Sequence, residues 1–104
     1  MSLDKFREKV QIYRRAAGLS QKEIAREMGL NPHVLSHKLN ASDGMCLNHP
    51  EVKKIIKLLA HWQAIISRRE VFDMLHLMRM TPHAFSTDEW KSPPLSQLDA
   101  EAEV

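Results

Sequence analysis

The chain has 104 residues, 43% of them apolar, which suffices for one small domain with a single hydrophobic core. No apolar run approaches the roughly 18 residues of a membrane-spanning helix, and residues 1–5 do not form the pattern of a signal peptide. The single Cys46 rules out an internal disulfide, so we expect a cytoplasmic protein rather than a disulfide-stapled secreted domain.

Charge is distributed unevenly along the chain. Residues 1–69 contain 13 Lys and Arg against 6 Asp and Glu, a balance of +7, whereas residues 70–104 contain 2 against 7, a balance of −5. Solvated helix faces carry many basic residues in any small protein, so the asymmetry alone defines no function. A basic region is nevertheless typical of a surface that meets phosphate groups, which makes a nucleic acid the first partner to consider.

Two helices are predicted at the start of the chain. Apolar residues three or four positions apart predict the first over residues 3–17, followed by Gly18. Ser20 and Glu23 have the Ser-x-x-Glu spacing of a capping box, which predicts that the second helix begins at Ser20. Gly29 follows the last periodic residue of this helix and predicts a tight turn there.

A third helix is predicted over residues 31–40. Asn31 is a favourable N-cap, and Pro32 suits the first helical position, where its missing N–H is harmless. The helical period turns one set of side chains inward, namely Val34, Leu35 and Leu39. It leaves another set on the outward face, namely Pro32, His33, Ser36 and His37.

Two further helices follow a loop over residues 41–48. Asn48 and Glu51 predict the start of the fourth helix, and Ser67 and Glu70 form another capping box at the start of the fifth. The apolar stripe predicted for the fourth helix is Val52, Ile55, Ile56, Leu59, Trp62 and Ile66. The side chains predicted to face inward on the fifth are Val71, Phe72, Leu75 and Met78. The fifth helix could pack on the first helix or against a second subunit.

The end of the chain is predicted to be less ordered. Thr81 and Pro82 stop the fifth helix, and the spacing of Ser86 and Glu89 supports one short helical turn. From Lys91 onward the prolines and the acidic residues predict a linker or disordered tail. The sequence thus predicts a helical domain over residues 1–80, followed by a short turn and an acidic linker over residues 81–104.

Residues 19–40 resemble the helix-turn-helix of the lambda-repressor-like (XRE-type) superfamily. Gln21, Ala25, Gly29 and Leu35 occupy its signature positions, and residues 34–40 also resemble the recognition helix of the lactose-repressor family. The resemblance implies an all-α fold, a five-helix bundle with the motif at its second and third helices. It also implies a transcription-regulator module that binds double-stranded DNA through the major groove. A homodimer is expected if the chain is an autonomous repressor, and a monomer if it is an isolated N-terminal domain.

The same resemblance implies that Gln21 contacts a phosphate and that Pro32, His33 and His37 face base edges. If residues 31–40 enter the major groove, Ser36 is a further expected base contact. Lys22, Lys38 and Asn40 are then further candidate phosphate contacts. An imidazole can donate to a purine acceptor, or accept when neutral, so the histidines would read bases less sharply than Arg or Asn would.

A second resemblance concerns residues 3–90, which look like the N-terminal helix-turn-helix domain of bacterial STAND (NB-ARC-like) signalling ATPases. The matching segments are residues 3–7, residues 49–53, the region of Trp62, and residues 85–90 with Pro93 and Pro94. The resemblance implies a C-terminal ATPase domain in a longer protein. It also opens an alternative function, an adaptor that binds a protein partner through the apolar helix 71–80 with its three methionines, Met74, Met78 and Met80, since methionine suits adaptable contacts.

Metal binding and catalysis have little support in the sequence. His33 and His37 are spaced like two ligands on one helical face, and Cys46 and His49 form a Cys-x-x-His pair. However, the two helical histidines occupy the positions expected to face DNA, so we expect no metal and no cofactor. The chain has no Gly-rich phosphate loop and no evident pair of catalytic carboxylates, so we expect no enzymatic activity.

Overall fold

The computed structural model describes residues 3–41 and 44–98, and this part of the chain is built of helices without strands. The predicted all-α class is therefore confirmed. Six α-helices follow one another: α1 (Leu3–Ala16), α2 (Gln21–Glu27), α3 (Pro32–Asn40), α4 (His49–His61), α5 (Arg68–Leu77) and α6 (Thr87–Lys91). Two short 3₁₀ helices flank α6 at Pro82–Ala84 and Leu95–Gln97.

Side-chain caps fix the helix starts where the sequence predicted them. The Ser20 hydroxyl accepts from the amide of Glu23 at 3.1 Å, and the side-chain oxygen Oδ1 of Asn31 accepts from the amide of His33 at 2.8 Å. Complete capping boxes, with both reciprocal hydrogen bonds, begin three helices at Asn48/Glu51, Ser67/Glu70 and Ser86/Glu89. Each cap satisfies amides that the first helical turn cannot.

Left-handed residues end most of the helices, and only some of them are glycine. Gly18 and Gly29 have φ of 73° and 71°, a conformation that costs glycine little. Ala41, Gln63 and Arg79 adopt φ of 52°, 62° and 57°, where a Cβ is unfavourable. The helices α3, α4 and α5 therefore stop in turns that the sequence does not signal with glycine.

The helix pair α2–α3 is held from behind by α1 and α4. Helix α1 packs on α3 and α5, α2 packs on α3 and α4, and α4 packs on α5. The largest fully buried side chains are Phe6, Ile24, Leu35, Leu39, Ile55, Ile56, Leu59, Ile65, Met74, Leu75, Phe85 and Leu95. The fifth helix thus packs on the first, one of the two positions left open by the sequence. Burial, and then the negative charge of Glu70 on α5, raises the pKa of Tyr13 on α1 to about 12.

The apolar stripe predicted for the fourth helix extends past the residue at which α4 ends. Helix α4 ends at His61, and the left-handed Gln63 turns the chain so that Ile65 is buried whereas Ile66 is 65% exposed. The prediction that Ile66 faces inward is therefore wrong. Phe72 on α5 is only half-buried, and its ring contacts that of Trp90 at 5.7 Å between centroids.

The segment after α5 completes the core instead of leaving it. Phe85, Leu95 and Leu98 are 2%, 0% and 8% exposed and belong to the same apolar cluster as the helices. The predicted linker from Lys91 is therefore wrong for residues 91–98, because the leucines after the two prolines are apolar enough to pack on α4 and α6. The acidic tail predicted over residues 99–104 lies outside the described residues.

Candidate nucleic-acid interface

The α2–α3 unit is anchored by a small set of core side chains. Ala25 on α2 and Leu35 on α3 are fully buried, and Ile24 and Leu39 are 1% exposed. The small Ala25 allows the two helices to approach, and the amide of Leu30 donates to the Ala25 carbonyl at 2.9 Å across the turn. The side of α3 that carries Leu35 and Leu39 therefore faces the core, and the opposite side of α3 faces outward.

The outer side of α3 carries the predicted base-contacting residues. Pro32 and His33 are exposed, and Ser36 and His37 are half-buried. Ser36 follows Pro32 by four residues and His37 follows His33 by four, so the two pairs lie one helical turn apart along the same side of α3. The structure thus brings together all four residues predicted to face base edges.

The start of α2 carries two of the predicted phosphate contacts. Lys22 is exposed, and Gln21 is half-buried with its side-chain oxygen accepting from Gln11 Nε2 at 2.9 Å. Arg26 is also exposed one helical turn after Lys22, so the two cations lie on one face of α2. The sequence analysis did not single out Arg26, although its spacing of four from Lys22 is a signal that could have found it.

Lys38 and Asn40, the other two predicted phosphate contacts, have partners within the protein. Lys38 Nζ lies 2.6 Å from Glu51 Oε2, which ties the end of α3 to the start of α4, and the lysine side chain is 21% exposed. Asn40 is exposed, and its side-chain nitrogen donates to the Ser36 carbonyl at 2.8 Å. A contact of either residue with a phosphate stays a prediction.

The contact with Lys38 also affects the pKa of the Glu51 carboxylate. Burial opposes the charged form of Glu51, but hydrogen bonds from the Lys38 ammonium and the Asn48 amide outweigh it. The pKa of Glu51 is therefore below its ordinary value. Glu51 therefore keeps its negative charge at neutral pH, and the pair joins the end of α3 to the start of α4.

A second charged cluster lies where α4 meets α6. Glu89 is 2.5 Å from Lys57 Nζ and 3.2 Å from Lys53 Nζ, and these contacts lower its pKa to about 2, with the hydrogen bond from Lys57 as the largest cause. The two lysines also lie over the Phe85 ring, at 5.4 and 5.8 Å from its centroid. These α4 cations are already engaged by the C-terminal segment, which distinguishes them from Lys22 and Arg26.

The sequence also raised an adaptor surface and a metal site as alternatives. Met74, Met78 and Met80 are 0%, 7% and 8% exposed, so the prediction that they form an adaptor surface is wrong, because they belong to the core. Over residues 3–41 and 44–98, no three His, Cys, Asp or Glu side chains come together in an arrangement that could hold a metal ion. No helix in this part of the chain is long and apolar enough to span a membrane.

Comparison of the chain with protein-family models, with curated proteins and with solved structures finds no match.

Proposed function

We propose that this protein is a double-stranded DNA-binding module of the transcription-regulator type, with α3 lying in the major groove. The observation that carries the proposal is the two-sided character of α3. Leu35 and Leu39 are buried in the core, whereas Pro32 and His33 face solvent. A helix that is held along one side and exposed along the other fits the width of the major groove.

Charge supports the same orientation. Lys22 and Arg26 are exposed on α2, the helix packed beside α3, and neither makes an ion pair with another described residue. Phosphate contacts supply most of the affinity of such modules and set their register on the duplex. Gln21, Lys22 and Arg26 would then bind phosphates on one side of the groove that α3 enters.

Four residues would read base edges and two would contribute less than the sequence predicts. Pro32, His33, Ser36 and His37 share the outer face of α3. Lys38 and Asn40 already bind Glu51 and the Ser36 carbonyl, so only their remaining N–H donors would meet a phosphate. We assign the base contacts to the first turns of α3 and expect Lys38 and Asn40 to add less to the affinity than Lys22 does.

Binding to mixed-sequence duplex DNA at several salt concentrations tests the proposal. The logarithm of the binding constant should fall with the logarithm of salt concentration, by about 0.9 for each phosphate contacted. The charge-removing variant Lys22→Gln should reduce that slope by about 1, while Lys54→Gln, which changes an exposed lysine on α4, should leave it unchanged. Absence of binding at low salt would contradict the proposal.

Base reading needs a separate experiment. A preferred sequence is first selected from a random duplex pool, and His33→Ala is compared with His83→Ala, which alters an exposed histidine outside the helix pair. We expect His33→Ala to weaken the preferred site by about 1–3 kcal/mol and to leave mixed-sequence binding nearly intact. An equal loss on all sequences would show that His33 reads no base.

The proposal also concerns the longer protein and the oligomeric state. The resemblance of residues 3–90 supports a longer protein in which a STAND-type ATPase domain follows this domain. A homodimer would present two copies of α3 to half-sites one helical turn apart. An adaptor role is the second candidate. The large apolar side chains left exposed among the described residues are Ile12, Met45 and Ile66, so a protein partner would bind a surface other than the buried methionines. Sedimentation with and without duplex DNA measures the assembly.

A further inference from the structure

A chain of hydrogen bonds leads from α1 to the first residue of α2. Arg14 Nε donates to Gln11 Oε1 at 2.7 Å, and Gln11 Nε2 donates to Gln21 Oε1 at 2.9 Å. Arg14 Nη1 also donates to the carbonyl of Leu19 at 3.1 Å, in the loop just before α2. The three side chains are half-buried, so these contacts are only partly shared with water.

The direction of this chain is fixed by the chemistry of its first member. A guanidinium group only donates hydrogen bonds, so the Gln11 atom that faces Arg14 must be the carbonyl oxygen. The other end of the Gln11 amide is then the nitrogen, which must find an acceptor. The Gln21 atom that faces Gln11 is consequently its oxygen, and the side-chain nitrogen of Gln21 is turned away from α1.

This orientation leaves Gln21 with two donors and no protein acceptor within residues 3–41 and 44–98. We infer that Arg14 and Gln11 are positioning residues, which hold the Gln21 amide with its N–H groups directed to a DNA phosphate. The inference rests on the proposed function. It extends that function because neither Arg14 nor Gln11 need touch the DNA, and because it explains how an uncharged side chain is prevented from presenting its oxygen to an anion.

A single substitution can reverse the orientation without removing the contacts. In Gln11→Glu the new carboxylate still accepts from Arg14, but it cannot donate to Gln21. The Gln21 amide should then rotate so that its nitrogen donates to Glu at position 11 and its oxygen faces the phosphate. We expect thermal stability to be kept, because the charged guanidinium of Arg14 exchanges an amide acceptor for a carboxylate acceptor, while affinity for mixed-sequence duplex DNA falls about tenfold.

The added negative charge of Gln11→Glu would weaken DNA binding by itself, so the same substitution is also made in Gln21→Ala. In that background only the general charge effect remains, and the loss should be about threefold or less. The uncharged variant Gln11→Met provides a second control, with an expected loss of about threefold that disappears in Gln21→Ala. The readout is the coupling between positions 11 and 21, which a merely structural role would not produce.

The outcomes separate this inference from the proposed function. Equal losses in the two backgrounds, with wild-type binding intact, would overturn the positioning role and leave DNA binding standing. Failure of the wild type to bind duplex DNA at low salt would overturn both. Coupling between positions 11 and 21, with unchanged thermal stability, would support the positioning role.

Discussion

The outer side of α3 and the C-terminal segment, residues 81–98, differ in how far their side chains are buried in the fold. Pro32 and His33 on α3 are exposed. In the C-terminal segment, Phe85 and Leu95 are buried in the common core, and Glu89 is paired with lysines of α4. The comparison teaches that the fold uses the C-terminal segment to complete its core and to pair its charge, while Pro32 and His33 are left exposed to solvent.

This difference defines which changes should unfold the protein and which should only alter binding. Residues of the C-terminal segment contribute to stability through buried area and charge pairing. On the outer side of α3, Pro32 and His33 should contribute little through burial, since both are exposed in the folded protein. The following predictions test this division, from the largest expected effect on the free energy of unfolding to the smallest.

Truncation of Leu95 should have the largest effect. Leu95→Ala removes a fully buried side chain and should lower the free energy of unfolding by about 2–5 kcal/mol. Urea denaturation measures the change, with Gln97→Ala at a neighbouring exposed position as the control. A loss no larger than that of the control would mean that residues 91–98 are dispensable for the core.

Loss of the Glu89 charge should have an intermediate effect that depends on pH. The pKa of Glu89 is about 2 in the folded protein against an ordinary value of 4.5. Its contribution is therefore complete above pH 4.5 and is lost as the pH falls toward 2. Glu89→Gln should cost about 1–2 kcal/mol at neutral pH, a value reduced for solvent screening.

The pH dependence provides the check on Glu89→Gln. The difference in unfolding free energy between wild type and variant should shrink as the pH is lowered below 4.5. A difference that stays constant from pH 7 to acid would show that packing, and not the charge contact with Lys53 and Lys57, accounts for the effect.

Gaining a glycine at the end of one helix and losing a glycine at the end of another should change the stability of the fold in opposite directions. Gln63 has a left-handed backbone that glycine adopts more easily, so Gln63→Gly should stabilise the fold by about 0.5–1 kcal/mol. Gly29→Ala should destabilise it by about 1 kcal/mol, because φ at Gly29 is 71° even though space for a Cβ is open. Thermal denaturation of both variants measures the pair, and shifts of the same sign would contradict the assignment.

Substitution on the outer side of α3 should have the smallest effect on folding. His33→Ala should change the free energy of unfolding by less than about 0.5 kcal/mol, because His33 is exposed. Urea denaturation alongside the Leu95→Ala series measures it. A loss comparable to that of Leu95→Ala would show that the outer side of α3 is part of the folded core after all.

The sequence was most informative where caps and periodicity act locally. The helix starts at Asn31, Asn48 and Ser67 were predicted because a side chain three or fewer residues away satisfies the free amides. The end of α4 was not, because the left-handed Gln63 carries no glycine signal. Ile66 was placed inward by extending the period of α4 past that turn.

Contacts between distant segments were the other source of error. The Lys38–Glu51 pair joins residues 13 positions apart, and Leu95 is not part of any helical stripe. The chain from Arg14 through Gln11 to Gln21 was missed for the same reason, since two neutral amides give no recognisable spacing across a loop. Local patterns thus predicted the outer α3 side well and the C-terminal segment poorly.

Mapping the DNA contact surface by NMR tests the central claim most directly. Amide signals of the protein are followed as mixed-sequence duplex DNA is added. We predict that the largest changes occur at residues 21–26 and 31–37, whereas residues 81–98 change little. Changes centred on residues 81–98, or no changes at low salt, would contradict the account of α3 as the surface that meets DNA.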